Sequence, residues 1–213
     1  YITNRITQKD FRATDANVGK AGTLDLFKLY NESVSGSSKP YEYSRLLVKF
    51  SLDKLETMLT DGDIDINSSN FKTYLRLYDV YGGQTTPSNF KLIAFPLSQS
   101  FDEGNGRDIV TYKDLDAANF ITASTRDSVN YLWNSAGGFA SGSLGSENID
   151  IIVSGTLDGP DGSEFVNLSA EQMFVNGDED LKLDVTKFIS GVLSNQVDNH
   201  GFLIAFSSSF END

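Results

Sequence analysis

The chain contains no cysteine. That excludes disulfides, thiolate nucleophiles and thiolate-bound metals, and it leaves the redox compartment open. Stability has to come from a packed core or from neighbouring chains. Histidine occurs once, at His200, so a Ser-His-Asp triad would have to use it, yet it sits in an Asn-His-Gly turn whose residue types serve backbone geometry. Basic residues are few: 17 Lys and Arg stand against 30 Asp and Glu, a formal charge of −13. This balance reads against a nucleic-acid partner, because counterion release from a phosphate backbone needs clustered Lys and Arg. No apolar run approaches the roughly 20 residues that cross a bilayer as a helix, and no charged-then-apolar leader opens the chain, which reads against a membrane. The first residue is Tyr1 rather than Met, which fits a processed or incompletely represented polypeptide.

What the sequence does contain is alternation. Its 213 residues suit one domain, 1–213. In the stretch 181–206, Leu181, Leu183 and Val185 alternate with Lys182 and Asp184, the pattern of a half-buried strand. From Asp184 the period changes, and Val185, Phe188, Ile189, Val192 and Leu193 make one stripe of a helix of about ten residues that Asp184 could cap. It is expected to be the longest helix. Phe202, Ile204 and Phe206 then form a strand, with Leu203 and Ala205 indicating burial on its second face too.

Upstream, 45–50 predicts a strand with Leu46, Val48 and Phe50 inward. Asp53 and Glu56 resemble a capping box that opens one or two helical turns. The segment 71–80 is the strongest β signal and is expected deep in a sheet. Further strands are read at 23–30, 91–95, 148–154 and 165–175, with loops or turns at 31–40, 82–89 and 157–164. Residues 129–145, with Trp133 and four glycines, read as a surface excursion anchored by an aromatic. The sum is an all-β antiparallel β-sandwich with one or two short helices. Its predicted core is Leu46, Val48, Phe50, Leu75, Leu77, Ile151, Leu183, Ile204 and Phe206.

Six motifs follow one another in a recognisable order: Asp15-Ala16-Asn17-Val18-Gly19 before Leu24-Asp25-Leu26, Arg45-Leu46-Leu47-Val48-Lys49-Phe50-Ser51-Leu52, Tyr74-Leu75-Arg76-Leu77-Tyr78, Phe101-Asp102-Glu103-Gly104, Leu183-Asp184-Val185-Thr186, and Asn199-His200-Gly201-Phe202. In this the chain resembles DNRLRE-type jelly-roll domains over roughly 11–206. The resemblance implies an antiparallel jelly roll of the kind found in surface and cell-wall proteins, related to some carbohydrate-binding modules. The insertion that begins at Phe101 and the ending 202–213 look most like the version in virion structural proteins of contractile-tailed phages. That implies a non-enzymatic virion component docked to other virion structural proteins in an oligomeric assembly. The alternative it implies is an extracellular or cell-surface module that attaches to a glycan. Domains of this type close with a further strand after a basic, proline-containing stretch, whereas this sequence stops at Phe210-Glu211-Asn212-Asp213. The segment from Phe202 onward is therefore expected beside an open sheet edge, paired by a continuation of the polypeptide or by another subunit.

Candidate site residues are sparse. Asp61, Asp63 and Asp65 alternate like the start of a calcium loop, but Ile66 stands where an EF-hand needs glycine and no glutamate closes the twelfth position, so a polar turn is the default and calcium the alternative. Asp158, Asp161 and Glu164 make a second loose acidic turn. Trp133, Tyr131, Tyr112 and Phe139 are candidates for an aromatic platform on which sugar rings stack, against the ordinary reading of aromatics as core. No cofactor is implied: the glycines at 137–145 lack the lysine of a P-loop. Thirty carboxylates guarantee chance pairs, so spacing assigns no acid and base.

Overall fold

The computed structural model describes residues 1–3, 6–8, 11–12, 14–30, 41–80, 87–107 and 117–212. The loop expected at 31–40, and most of that at 82–89, lie outside them. The N-terminal part carries β1 (Ile2–Thr3), β2 (Ile6–Gln8), β3 (Phe11–Arg12), β4 (Lys28–Tyr30) and β5 (Tyr41–Val48), then helix α1 (Asp53–Thr60). The middle carries β6 (Tyr74–Leu77), β7 (Phe90–Pro96), β8 (Thr122–Arg126), β9 (Val129–Leu132), β10 (Ser141–Ser143), β11 (Ile151–Gly159), β12 (Gly162–Asn167) and β13 (Ala170–Phe174). The chain then forms β14 (Leu181–Asp184), α2 (Thr186–Leu193), β15 (Phe202–Phe206) and α3 (Ser208–Asn212). The protein is all-β, with short helices. Among the described residues no helix is long and apolar enough to cross a membrane.

A central antiparallel sheet runs β1-β5-β15-β7-β13, with β4 also on β5. Strand β15 lies at its middle because its sequence is apolar at every position: Phe202, Ile204 and Phe206 enter the main core, while Leu203 and Ala205 enter a smaller core on the opposite face. Gly201 admits the chain to this strand. Its φ is +89°, and a Cβ there would meet the Val48 carbonyl oxygen at 2.4 Å, so only glycine fits the turn. The main core closes against α2, the ribbon β6-β14 and strands β11 and β12. Phe188 of α2 meets Phe202 edge to face at 4.9 Å, and cross-strand partners Phe90 and Phe174 stack at 4.9 Å. Gln172 joins the central sheet to the ribbon: its side chain accepts from the Lys182 amide at 2.8 Å and donates to the Asp180 carbonyl at 2.9 Å.

Several expectations need correction. The segment from Phe202 is no edge: β15 pairs with β7 along its whole length and with β5 through Phe202, Leu203 and Ile204, so over those three residues its backbone already has a neighbour on each side. Phe50 is exposed, since β5 ends at Val48 and the chain turns away before it; Leu77 is half-buried, and the other predicted core residues are buried. The 71–80 signal yields only four residues of strand in a two-stranded ribbon, with Tyr74 and Arg76 facing out. High β propensity reports a fit to a half-buried pleated surface, and this surface is buried on one side only. Helix α2 has eight residues, the same as α1. Asp184 accepts the Thr186 amide at 2.9 Å, but the boundary residue of α2 is Val185, which gives no side-chain cap. Likewise Asp53 lies inside the first turn of α1, where Leu52 is the boundary residue and gives no side-chain cap. The predicted 157–164 turn is a hairpin whose strands continue to Gly159 and resume at Gly162, leaving only Pro160 and Asp161 between them.

Candidate functional site

Strands β8 and β9 form a hairpin whose two turn residues, Asp127 and Ser128, have φ of 51° and 63°. Two-residue turns of this left-handed kind match the twist of the flanking strands and suit Asp. In the hairpin register Ser124 pairs with Tyr131, and Arg126, two residues along, shares their face. The Arg126 guanidinium lies 5.5 Å from the centre of the Tyr131 ring and donates to the Ser100 hydroxyl. Together with Ser98, Gln99 and His200, these side chains line an open cleft of about 260 Å³.

The wall of the cleft is braced from below by a buried carboxylate. Asp150 accepts from the Asn134 amide at 2.7 Å, the Ser135 amide at 2.9 Å, the Ala140 amide at 3.0 Å, the Asn134 side chain at 3.2 Å and Gln99 Nε2 at 3.0 Å. Five donors to one carboxylate explain how Asp150 sits fully buried just before β11, where it fixes the loop that joins β9 to β10. His200 is partly buried. Burial is the main cause of a pKa below the ordinary histidine value; the nearby Asp198 opposes the shift, while Lys49 and Arg126 add to it. Its Nε2 is 3.9 Å from an Asp198 carboxylate that is itself exposed, and among the described residues no hydrogen bond joins the His200 ring to a serine hydroxyl. The Ser124 side chain is buried at the cleft wall and likewise has no hydrogen-bond partner among them.

Among the described residues the predicted aromatic platform does not assemble. Trp133 is buried, in the smaller core, with its indole N–H donated to the Asn119 carbonyl at 2.9 Å; it anchors the excursion, as expected, but offers no face to a ligand. Phe139 is partly buried against Phe95 and lies under the Arg45 guanidinium. Tyr131 is 48% exposed and reaches the cleft. Tyr112 lies outside the described residues.

Asp61, Asp63 and Asp65 are exposed, and Asp65 accepts the Asn67 amide at 2.9 Å in a local turn. In the second acidic turn Asp158 accepts from Ser163, and Glu164 pairs with Lys187 at 2.7 Å. Among the described residues no three His, Asp or Glu side chains are gathered as a metal site. Sequence reading missed Arg126, Ser124, Gln99 and Asp150. The Asp127-Ser128 pair between apolar and polar alternations was a usable hairpin signal, whereas nothing local marks Asp150, whose donors come from three separate segments.

Comparison with known protein families, curated proteins and solved structures found no match to the chain.

Proposed function

We propose that this chain is a non-enzymatic structural component of a phage virion, a jelly-roll module that holds its shape and docks to other virion proteins. The observation that carries the reading is the use made of buried charge. Arg45 and Glu211 are spent on fixing α3 to β5, and Asp150 on fixing the loop after β9, so the strongest polar groups serve rigidity. The resemblance of the insertion that begins at Phe101 and of the ending 202–213 to the version in phage virion proteins supports the virion setting, and the acidic surface suits a particle component that must stay soluble outside its contacts. The test is mass spectrometry of purified, cross-linked particles: this chain linked to structural neighbours supports the proposal, and its absence from washed particles overturns it.

A second reading, a glycan-binding module, is favoured by one feature, the cleft. Tyr131, Arg126, Gln99 and three serines offer a ring, a cation and hydroxyls around a space below the usual range of roughly 300–1,000 Å³ for drug-sized ligands. Glycan-array binding lost in Tyr131→Ala and Arg126→Ala would support it. Trp133→Ala is unsuited as a control, because that indole is core. Arrays that stay blank with the folded protein would remove this reading.

A further inference from the structure

The ribbon β6-β14 carries an arrangement at odds with the acidic balance of the chain. In its register Arg76 stands directly opposite Lys182 on the exposed face, and like charges so placed repel. Neither cation has an ion-pair partner among the described residues. Each lies over a tyrosine instead: Arg76 is 5.5 Å from the Tyr78 ring centre and Lys182 is 4.5 Å from that of Tyr74. The two rings are 67% and 47% exposed. The nearby acids are already engaged, Asp184 by the Thr186 amide and by Lys72 at 3.9 Å, and Asp180 by the Asp79 amide. Two cations and two tyrosines thus form an unneutralised plaque on a chain of net charge −13. Arg and Tyr are the residue types that anchor protein interfaces.

Upstream of the ribbon lies its complement. The turn after α1 presents Asp61, Asp63 and Asp65, all exposed and none in an ion pair among the described residues. We propose that the plaque of Tyr74, Arg76, Tyr78 and Lys182 docks a second copy of this chain by receiving that copy's acidic turn at Asp61, Asp63 and Asp65. Charge complementarity selects this occupant, because both halves of the contact are present on one polypeptide and neither is in an ion pair at home among the described residues. If each plaque takes the other copy's turn, the contact is self-complementary and closes a two-fold dimer; if the rotation does not close, it propagates a row of copies. The proposal needs only this chain and stands apart from the virion reading.

Sedimentation equilibrium of the purified chain tests it, with circular dichroism confirming that each variant is folded. Both copies carry −13, so added salt screens their overall repulsion and the local attraction together, and charge exchange is the cleaner probe. Wild type is expected to self-associate. Arg76→Glu with Lys182→Glu, and separately Asp61→Lys with Asp63→Lys and Asp65→Lys, should each associate at least about tenfold more weakly. An equimolar mixture of the two variants should associate again, since each variant's plaque then meets the other's turn with opposite charge. A monomeric wild type, association that survives both reversals, or a mixture that stays monomeric overturns the proposal.

Discussion

Arg45 holds Glu211 by two parallel hydrogen bonds, Nε to Oε1 at 3.1 Å and Nη2 to Oε2 at 2.7 Å, with both side chains almost completely buried. The guanidinium also donates to the Gly137 carbonyl at 2.8 Å and lies 4.3 Å from the centre of the Phe139 ring. A buried ion pair of this kind returns little net stability relative to apolar groups of the same shape, but removing one partner strands the other charge in the core. Glu211→Ala should therefore cost about 3–5 kcal/mol in urea unfolding. The double variant Arg45→Met with Glu211→Leu should recover most of that loss, and equal destabilisation of both variants would show that the pair is not the cause.

Phe188 of α2 is fully buried and ties the helix to the start of β15. Phe188→Ala is expected to cost about 3–5 kcal/mol, the range for deleting a fully buried aromatic. Chemical denaturation reads this directly, and a loss below about 1 kcal/mol would mean that the helix is not seated on the core.

Asp150→Ala should destabilise by about 3 kcal/mol, because three backbone amides lose their shared acceptor together. It should also free Gln99 at the cleft wall. Amide hydrogen exchange would then quicken at Asn134, Ser135 and Ala140 before it does in β15. Unchanged exchange at those three amides would contradict the assigned brace.

The single histidine gives a signed pH dependence. Burial, the largest cause, lowers the His200 pKa in the folded state, so the unfolded chain binds the proton more readily. The associated stability is fully present above the unfolded value of about 6.5 and is lost as pH falls from there toward the folded value. Melting temperatures at pH about 8 and about 5 should differ more for wild type than for His200→Asn. Identical differences would assign the acid sensitivity to carboxylates, among them Asp184, whose pKa is lowered chiefly by hydrogen bonds from Thr186 and whose contribution is lost at lower pH.

Much of the fold is legible in local pattern. The two-residue period at Leu181 and Leu183, the helical stripe through Phe188 and Ile189, and the doubly apolar run Phe202–Phe206 each dictate their own environment. Pattern failed where an element's fate depends on its neighbours. The ribbon strand β6 looks from its sequence like a central strand, and β15 looked like an edge once a further strand was expected beyond it. Both errors concern which strands lie side by side, and side-chain period carries no information on that.

The candidate cleft was less legible still. Tyr131 and His200 stood out by type, but they lie 69 positions apart in the sequence (200 − 131 = 69), and only the hairpin β8-β9 and the turn before β15 bring them to one opening.

By itself the sequence determined the class of fold, because alternation and stripe specify which face of each element must leave water. It determined the net charge and the lack of cysteine chemistry as well. Tertiary structure alone decided that Arg45 meets Glu211 across 166 residues, that Asp150 gathers its five donors, and that Arg76 faces Lys182. Each of these is set by strand order and register, a choice made by the packing of the whole core and not by any segment within it.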